Sequence, residues 1–294
     1  MWARAILVVA STVLALPVRA ASPPPDRITI LYDAFGKRAG LTRDWGFAAL
    51  VEYHGSRILF DTGNDAAVFE HNVRALGVDL TRLDFVVVSH RHGDHTSGLN
   101  HVLRVNPKVR IYAPREGFGV FGNAVAYGFV RQDTTLGAEQ RYFAGTLPDT
   151  LVSGTPWPGA NFVLIDSTTE IVPGVAVVAT VSDRPGTLEL RELSLVLETQ
   201  NGTVVLVGCS HPGIERIMEA ARAVAPHPHL MVGGLHLVTT SDSEIDRVVT
   251  ALRDRFGLDL IAPGHCTGEP AFSAFRRRFG AAYLYAGLGE RFPI

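Results

Sequence analysis

Six consecutive residues, His90-Arg91-His92-Gly93-Asp94-His95, constrain this chain more than any other stretch of it. Four of the six carry side chains that bind metal ions. They follow Phe85-Val86-Val87-Val88-Ser89, a continuous apolar run of the kind expected of a strand covered on both faces. Residues i and i+2 on extended backbone point the same way, so His90 and His92 can grip one ion together. Gly93 is expected to let the chain turn sharply, swinging Asp94 and His95 towards a second ion. Imidazole nitrogens and a carboxylate oxygen suit zinc, and also iron or manganese. Burying so many polar groups without a shared partner would be costly.

Four clustered side chains cannot complete the shells of two ions, and the downstream sequence supplies more. The apolar run 203–207 leads into Gly208-Cys209-Ser210-His211, the run 230–232 into Gly233-Gly234-Leu235-His236, and the run 258–262 into Pro263-Gly264-His265. Three strand ends each delivering a histidine is what a site at one edge of a sheet sandwich requires. The ligand count closes without His236, which leaves it free for another role.

The rest of the chain reads as alternating strands and helices. Strands are expected at 27–32, 47–53, 56–60, 109–113, 162–165, 175–181 and 193–198, with His54-Gly55 as a tight hairpin turn. Phe69, Val73 and Leu76 recur at helical spacing behind the capping residues Asn64 and Asp65. Ile214, Ile217, Met218, Ala221 and Val224 mark an amphipathic helix. Ser241 and Glu244 have the spacing of a capping box, opening a helix that buries Ile245, Val248, Val249, Leu252 and Phe256. Phe272, Phe275 and Phe279 stripe the last helix, and 282–285 reads as a final strand. A strand-rich then helical half is thus followed by a similar half. The order suits an α/β fold in which two sheets stack face to face with helices outside. Residues 115–160 interrupt it with Gly-, Pro- and aromatic-rich sequence of no clear period. Such an excursion is either a lid over a site or an ordinary surface loop.

Residues 1–20 are expected to be a secretory signal peptide. Arg4 precedes an apolar stretch from Ala5 to Leu16, and Val18 and Ala20 flank Arg19 where a signal peptidase reads small residues. The stretch is short for a membrane span, so an uncleaved anchor is the weaker alternative. The remaining chain, 21–294, is expected to be one domain, secreted or periplasmic, with no membrane contact after cleavage. A formal net charge of −2 gives no basic surplus to attract nucleic acid. Two cysteines, Cys209 and Cys266, exclude a disulfide scaffold; a single disulfide, a ligand role and simple burial all stay open. Arg276-Arg277-Arg278 reads as a solvated helix end.

The motif His90-x-His92-x-Asp94-His95, with Leu59-Phe60-Asp61-Thr62-Gly63 upstream, resembles the metallo-β-lactamase superfamily. The stretches Gly208 to His211, Gly233 to Leu237 and Pro263 to Gly268 look more narrowly like one branch. That branch is named for dihydropterin ribofuranosylaminobenzene phosphate synthase. The resemblance implies an αββα sandwich of two mixed sheets with a two-zinc site at its edge. It implies His90, His92 and His211 around the first ion and Asp94, His95 and His265 around the second, with Asp61 behind the ligand loop, orienting it. The sequence departs from the superfamily pattern in two places. No histidine occurs in 175–197, so His211 stands in for the one often found there. Cys209 occupies a position where many members have a metal-bridging aspartate, which implies weaker binding of the second ion.

Metal-assisted hydrolysis of a small ester, phosphoester or lactone follows as the expected activity. Asp94 would orient the nucleophile, and His236 would contact substrate or protonate the leaving group. Two other classes compete. A synthase would condense a phosphorylated sugar with an aromatic partner and consume no water, and a non-catalytic metal-binding module would leave no open coordination position.

Overall fold

The computed structural model describes residues 25–116, 124–126, 134–135, 141–146, 150–152 and 157–294. The expected leader, 1–20, and much of the expected excursion at 115–160 lie outside the described residues. In chain order, the first half contributes strands β1 (Arg27–Tyr32), β2 (Ala48–Tyr53) and β3 (Ser56–Phe60), helix α1 (Ala66–Ala75) and β4 (Phe85–Val87). Helices α2 (Gly93–Thr96) and α3 (Leu99–Val105) follow, then β5 (Arg110–Pro114), β6 (Ala124–Ala126), β7 (Thr150–Val152) and β8 (Asn161–Ile165). The second half runs β9 (Thr169–Val172), β10 (Val175–Val181), β11 (Arg191–Thr199), β12 (Gly202–Val207), α4 (Ile214–Val224) and β13 (Pro228–Gly234). It closes with α5 (Asp242–Thr250), β14 (Leu260–Gly264), α6 (Glu269–Phe279) and β15 (Arg291–Pro293).

Two mixed sheets result. One is ordered β15-β1-β2-β3-β4-β5-β8 and the other β14-β13-β12-β11-β10-β9; β6 and β7 pair as a separate antiparallel ribbon. The period-2 alternation of each strand divides its apolar residues between two layers. Ile28, Ile58, Phe60, Phe85 and Val87 meet Val177, Leu195, Val204, Leu206 and Val232 between the sheets. Leu31, Leu59, Val86 and Val88 turn the other way, onto Phe69 and Val73 of α1 and Leu99 and Val102 of α3. On the far side Val178, Val196, Val205 and Met231 pack under α4, α5 and α6 through Ile217, Met218, Val248 and Phe275. The layer order is therefore helix, sheet, sheet, helix, as the element order implies.

The local signals hold in most places. His54 and Gly55 both take positive φ, 47° and 85°, in the β2–β3 turn, the geometry of a two-residue hairpin loop. Asp65 caps α1, its carboxylate accepting from the Ala67 and Val68 amides. Two expectations fail. Ser241 stands at the N-cap of α5 without a side-chain cap bond, because its hydroxyl meets Ser243 and Glu244 is drawn onto Arg247 at 2.8 Å. Residues 282–285 are no strand: Tyr283 makes a single parallel bridge to Ile261 after the 3-10 turn Gly280–Ala282. The closing strand is β15, antiparallel to β1. No helix among the described residues is long and apolar enough to cross a membrane.

Candidate metal centre

Strands β3, β4 and β5 run parallel to one another, as do β12, β13 and β14, and both sets deliver their following loops to one edge of the sandwich. His90 follows β4, His211 follows β12, His236 follows β13 and His265 follows β14. All six expected ligands and His236 come together there. The chain turns at Gly93 as expected, from extended His92 into a helix, but without the left-handed backbone that glycine alone adopts easily. Gly93 begins the short helix α2. The Ser97 amide donates to the Gly93 carbonyl at 3.0 Å, and the Thr96 hydroxyl donates to the His92 carbonyl at 2.9 Å. A helical turn rather than a glycine kink therefore separates His92 from Asp94 and His95.

Among the described residues four groups could hold an ion, two of them the expected ligand sets, while another joins His90 and His95 to Cys209. Donor atoms of His90, His92 and His211 lie within 4.8 Å of one another, and so do those of Asp94, His95 and His265. In the first, His90 Nε2 faces His92 Nδ1 at 3.1 Å. In the second, His95 Nε2 faces His265 Nε2 at 3.2 Å, and Asp94 Oδ2 lies 3.4 Å from His265 Nε2 and 3.8 Å from His95 Nε2. Both ring nitrogens of His211, and Nδ1 of His236 and of His265, are buried without a hydrogen-bond partner. Ring nitrogens that converge on one another and orphaned buried nitrogens are both resolved by cations between them. The donor set, imidazole with one carboxylate, fits divalent zinc, iron or manganese.

Burial and the surrounding histidines hold His90 well below its ordinary value. The same causes, with His236 foremost among the neighbours, bring His211 down to about 3. Burial also lowers His92. All three are thus neutral at pH 7, the ligating form. The other group behaves differently. Burial opposes a charge on His265, but Asp94, Cys266 and Asp33 outweigh it and raise the ring to about 10. Burial would likewise raise Asp94, yet His265 and His95 hold its carboxyl well below the usual carboxylate range. In the metal-free chain a proton on His265 therefore stands where positive charge is wanted.

Buried carboxylates back the ligand loops. Asp61, at φ 55°, accepts from the Ser89 amide, the Ser89 hydroxyl and His95 Nδ1, each at 2.7 Å. The Ser89 oxygen also meets His90 Nδ1 at 2.8 Å. Protons on the two Nδ1 atoms leave both Nε2 lone pairs aimed at the ligand groups. Sequence reasoning missed two further carboxylates. Glu192 on β11 accepts from the Cys209, Ser210 and His211 amides at 3.0, 2.7 and 2.9 Å. Asp33, just past β1, accepts from the His265 amide at 2.9 Å and the Ala34 amide at 2.7 Å. Desolvation pushes each of them up to about 7 against those donors. A charged residue inside the apolar run around Leu193, Leu195 and Leu197 was the available signal for Glu192. For Asp33 it was an aspartate closing an apolar strand, as Asp61 does.

Cys209 and Cys266 are free thiols with their sulfurs 3.3 Å apart, so the disulfide alternative is not realised here. Cys209 Sγ lies 3.2 Å from His95 Nε2, and a further potential ligand group joins Cys209, His236 and Cys266. Trp45 stands at the rim, 46% exposed, its ring centre 5.0 Å from that of His265.

A helix-sheet-sheet-helix sandwich with a histidine-rich centre at one sheet edge defines a class, and the comparison with known families agrees. The metallo-beta-lactamase superfamily model matches residues 42–265, and the chain belongs to that superfamily. Among individual proteins, it is 26% identical over 290 residues to the 7,8-dihydropterin-6-methyl-4-(beta-D-ribofuranosyl)-aminobenzene-5'-phosphate synthase of Methanocaldococcus jannaschii, covering 88% of this chain and 94% of that one. An uncharacterized protein of the same organism is 28% identical over 254 residues, 82% of this chain and 91% of the other. The crystal structure of Tm1679, described as a metal-dependent hydrolase of the beta-lactamase superfamily, superposes with a TM-score of 0.67 at 28% identity, covering 92% of this chain and 99% of that one.

Proposed function

We propose that this chain is a hydrolase that holds two divalent ions, zinc by preference, and opens an ester, phosphoester or lactone bond of a small molecule. The observation that carries the reading is the pair of ligand groups, His90–His92–His211 and Asp94–His95–His265, sharing one edge of the sandwich. Ions bound there would supply an acidified water and positive charge for an oxygen that turns negative in the transition state.

The protein's own residues divide the remaining work. The Asp94 side chain keeps 20% exposure where His95 and His265 have none, so this carboxylate can orient an incoming nucleophile. His236 is half-buried, with its ring centre 4.2 Å from that of His211. A hydrogen bond that the protonated ring donates to the Cys266 sulfur raises its proton affinity despite burial, which suits a donor to the leaving group. Trp45 offers a flat apolar wall to the substrate.

Turnover of a nitrophenyl ester, a nitrophenyl phosphodiester and a lactone by the zinc-loaded protein tests this reading. At least one class should be hydrolysed, with Asp94→Ala slower by about 10²–10⁴-fold and His236→Ala slower at unchanged metal content. The similarity to the synthase supports a second reading. Condensation of a phosphorylated sugar with an aromatic amine, without hydrolysis of the panel, would favour it. Metal binding with neither activity would leave a binding module.

A further inference from the structure

Each ligand group depends on a connection that passes through left-handed backbone. Ser210 and His265 sit at φ 64° and 46°, and backbone in that region persists only where its surroundings over-determine it. The amides of Cys209, Ser210 and His211 all point at Glu192, so the loop forms a small nest of N–H groups filled by a carboxylate of the same chain. Glu192 is fully buried, and its neighbour ties the loop to the other sheet: the Leu193 amide donates to the Ser89 carbonyl at 2.8 Å. Two successive residues of β11 thus fix His211 through its own amide and His90 through the residue before it. The two rings stand 4.9 Å apart, centre to centre.

Asp33 serves the other group in the same way. It is fully buried, takes the His265 amide, and lies so close behind Gly264 that a Cβ there would come within 2.9 Å of its Oδ2. The segment that follows it reaches the partner ligand, since the Phe47 amide donates to the Asp94 carbonyl at 3.2 Å.

On the reading that these groups hold ions, we propose that Glu192 and Asp33 are positioning residues, each fixing one half of the site from behind. Glu192 serves His90–His92–His211 and Asp33 serves Asp94–His95–His265. A carboxylate is required because it accepts at every lone pair. Glutamine or asparagine keeps the shape but turns a donor towards an amide that is itself a donor.

Zinc titration of the metal-free protein against a chromophoric chelator, read together with circular dichroism, tests the assignment. His211→Ala and His265→Ala identify which dissociation constant belongs to which half. Glu192→Gln should weaken the constant that His211→Ala removes by about 10–100-fold and leave the other within about threefold, and Asp33→Asn should do the reverse. A merely structural carboxylate would lower stability and shift both constants together. That outcome overturns the assignment, as does a folded variant with both constants unchanged, or a variant that fails to fold even in excess zinc. Failure of the wild type to bind zinc would overturn the metal reading itself. Two wild-type ions without selective loss in the variants would overturn this inference alone.

Discussion

Asp61→Asn probes the best-defined contact set in the centre. The wild-type carboxylate accepts three hydrogen bonds of 2.7 Å, from the Ser89 amide, the Ser89 hydroxyl and His95 Nδ1, with no exposure to solvent. An asparagine can be placed in two ways. With its oxygen towards Ser89 Oγ and His95, its NH2 opposes the Ser89 amide. One charge-assisted bond is lost and a buried donor is stranded, a cost of about 2–4 kcal/mol. With the oxygen towards the Ser89 amide, the NH2 faces His95 Nδ1, which must then give up its proton. The proton moves to Nε2, the atom that faces His265 and Cys209, and His95 can no longer ligate. Urea unfolding of the metal-free protein measures the first outcome, and zinc stoichiometry measures the second. A variant within about 0.5 kcal/mol of wild type that still binds two ions would refute the placement of Asp61 behind both histidines.

Gly208→Ala should be disruptive, because a methyl group there lands on the Ser89 hydroxyl and lies 3.1 Å from Asp61 Oδ2. A stability loss of about 1–3 kcal/mol with reduced zinc binding is the expected result, and normal binding would contradict it. Leu206→Ala, between the sheets and fully buried, should cost about 2–5 kcal/mol in urea unfolding while leaving zinc stoichiometry unchanged. The third prediction concerns pH. His211 is lowered to about 3 in the fold, so the unfolded chain takes up its proton first. Its effect is absent above pH about 6.5 and stability is lost as pH falls below it. Asp33 and Glu192, raised to about 7, act in the opposite sense, gaining stability as pH falls from 7. Comparison with His211→Gln removes that background. Relative to its value at pH 7.5, the metal-free variant should gain on wild type by up to about 2 kcal/mol at pH 5. Parallel stability profiles would exclude the assigned shift.

Strand and helix positions were legible wherever one physical signal acted alone. The near-continuous apolar run of β10 and the 3.6-residue stripe of α4 give the observed bounds, and so does the hairpin at His54-Gly55. Signals failed where local chemistry had a competitor. Glu244 has the capping-box spacing but a nearby arginine claims it. The apolar residues of 282–285 are satisfied by packing against β14 and α6, with one bridge in place of a ladder. The ligating side chains were readable because each histidine follows an apolar run. The carboxylates behind them were harder to find. Asp61 came from the family pattern, whereas Glu192 and Asp33 act on backbone amides far away in sequence, and only the folded chain brings those together.

Elemental analysis of the purified protein after dialysis against zinc, with His211→Ala and His265→Ala alongside, tests the two-ion centre most directly. Two ions per wild-type chain, falling to one in each variant, is the result expected from the two ligand groups. A wild-type chain that retains no zinc, iron or manganese under metal-replete conditions would contradict it.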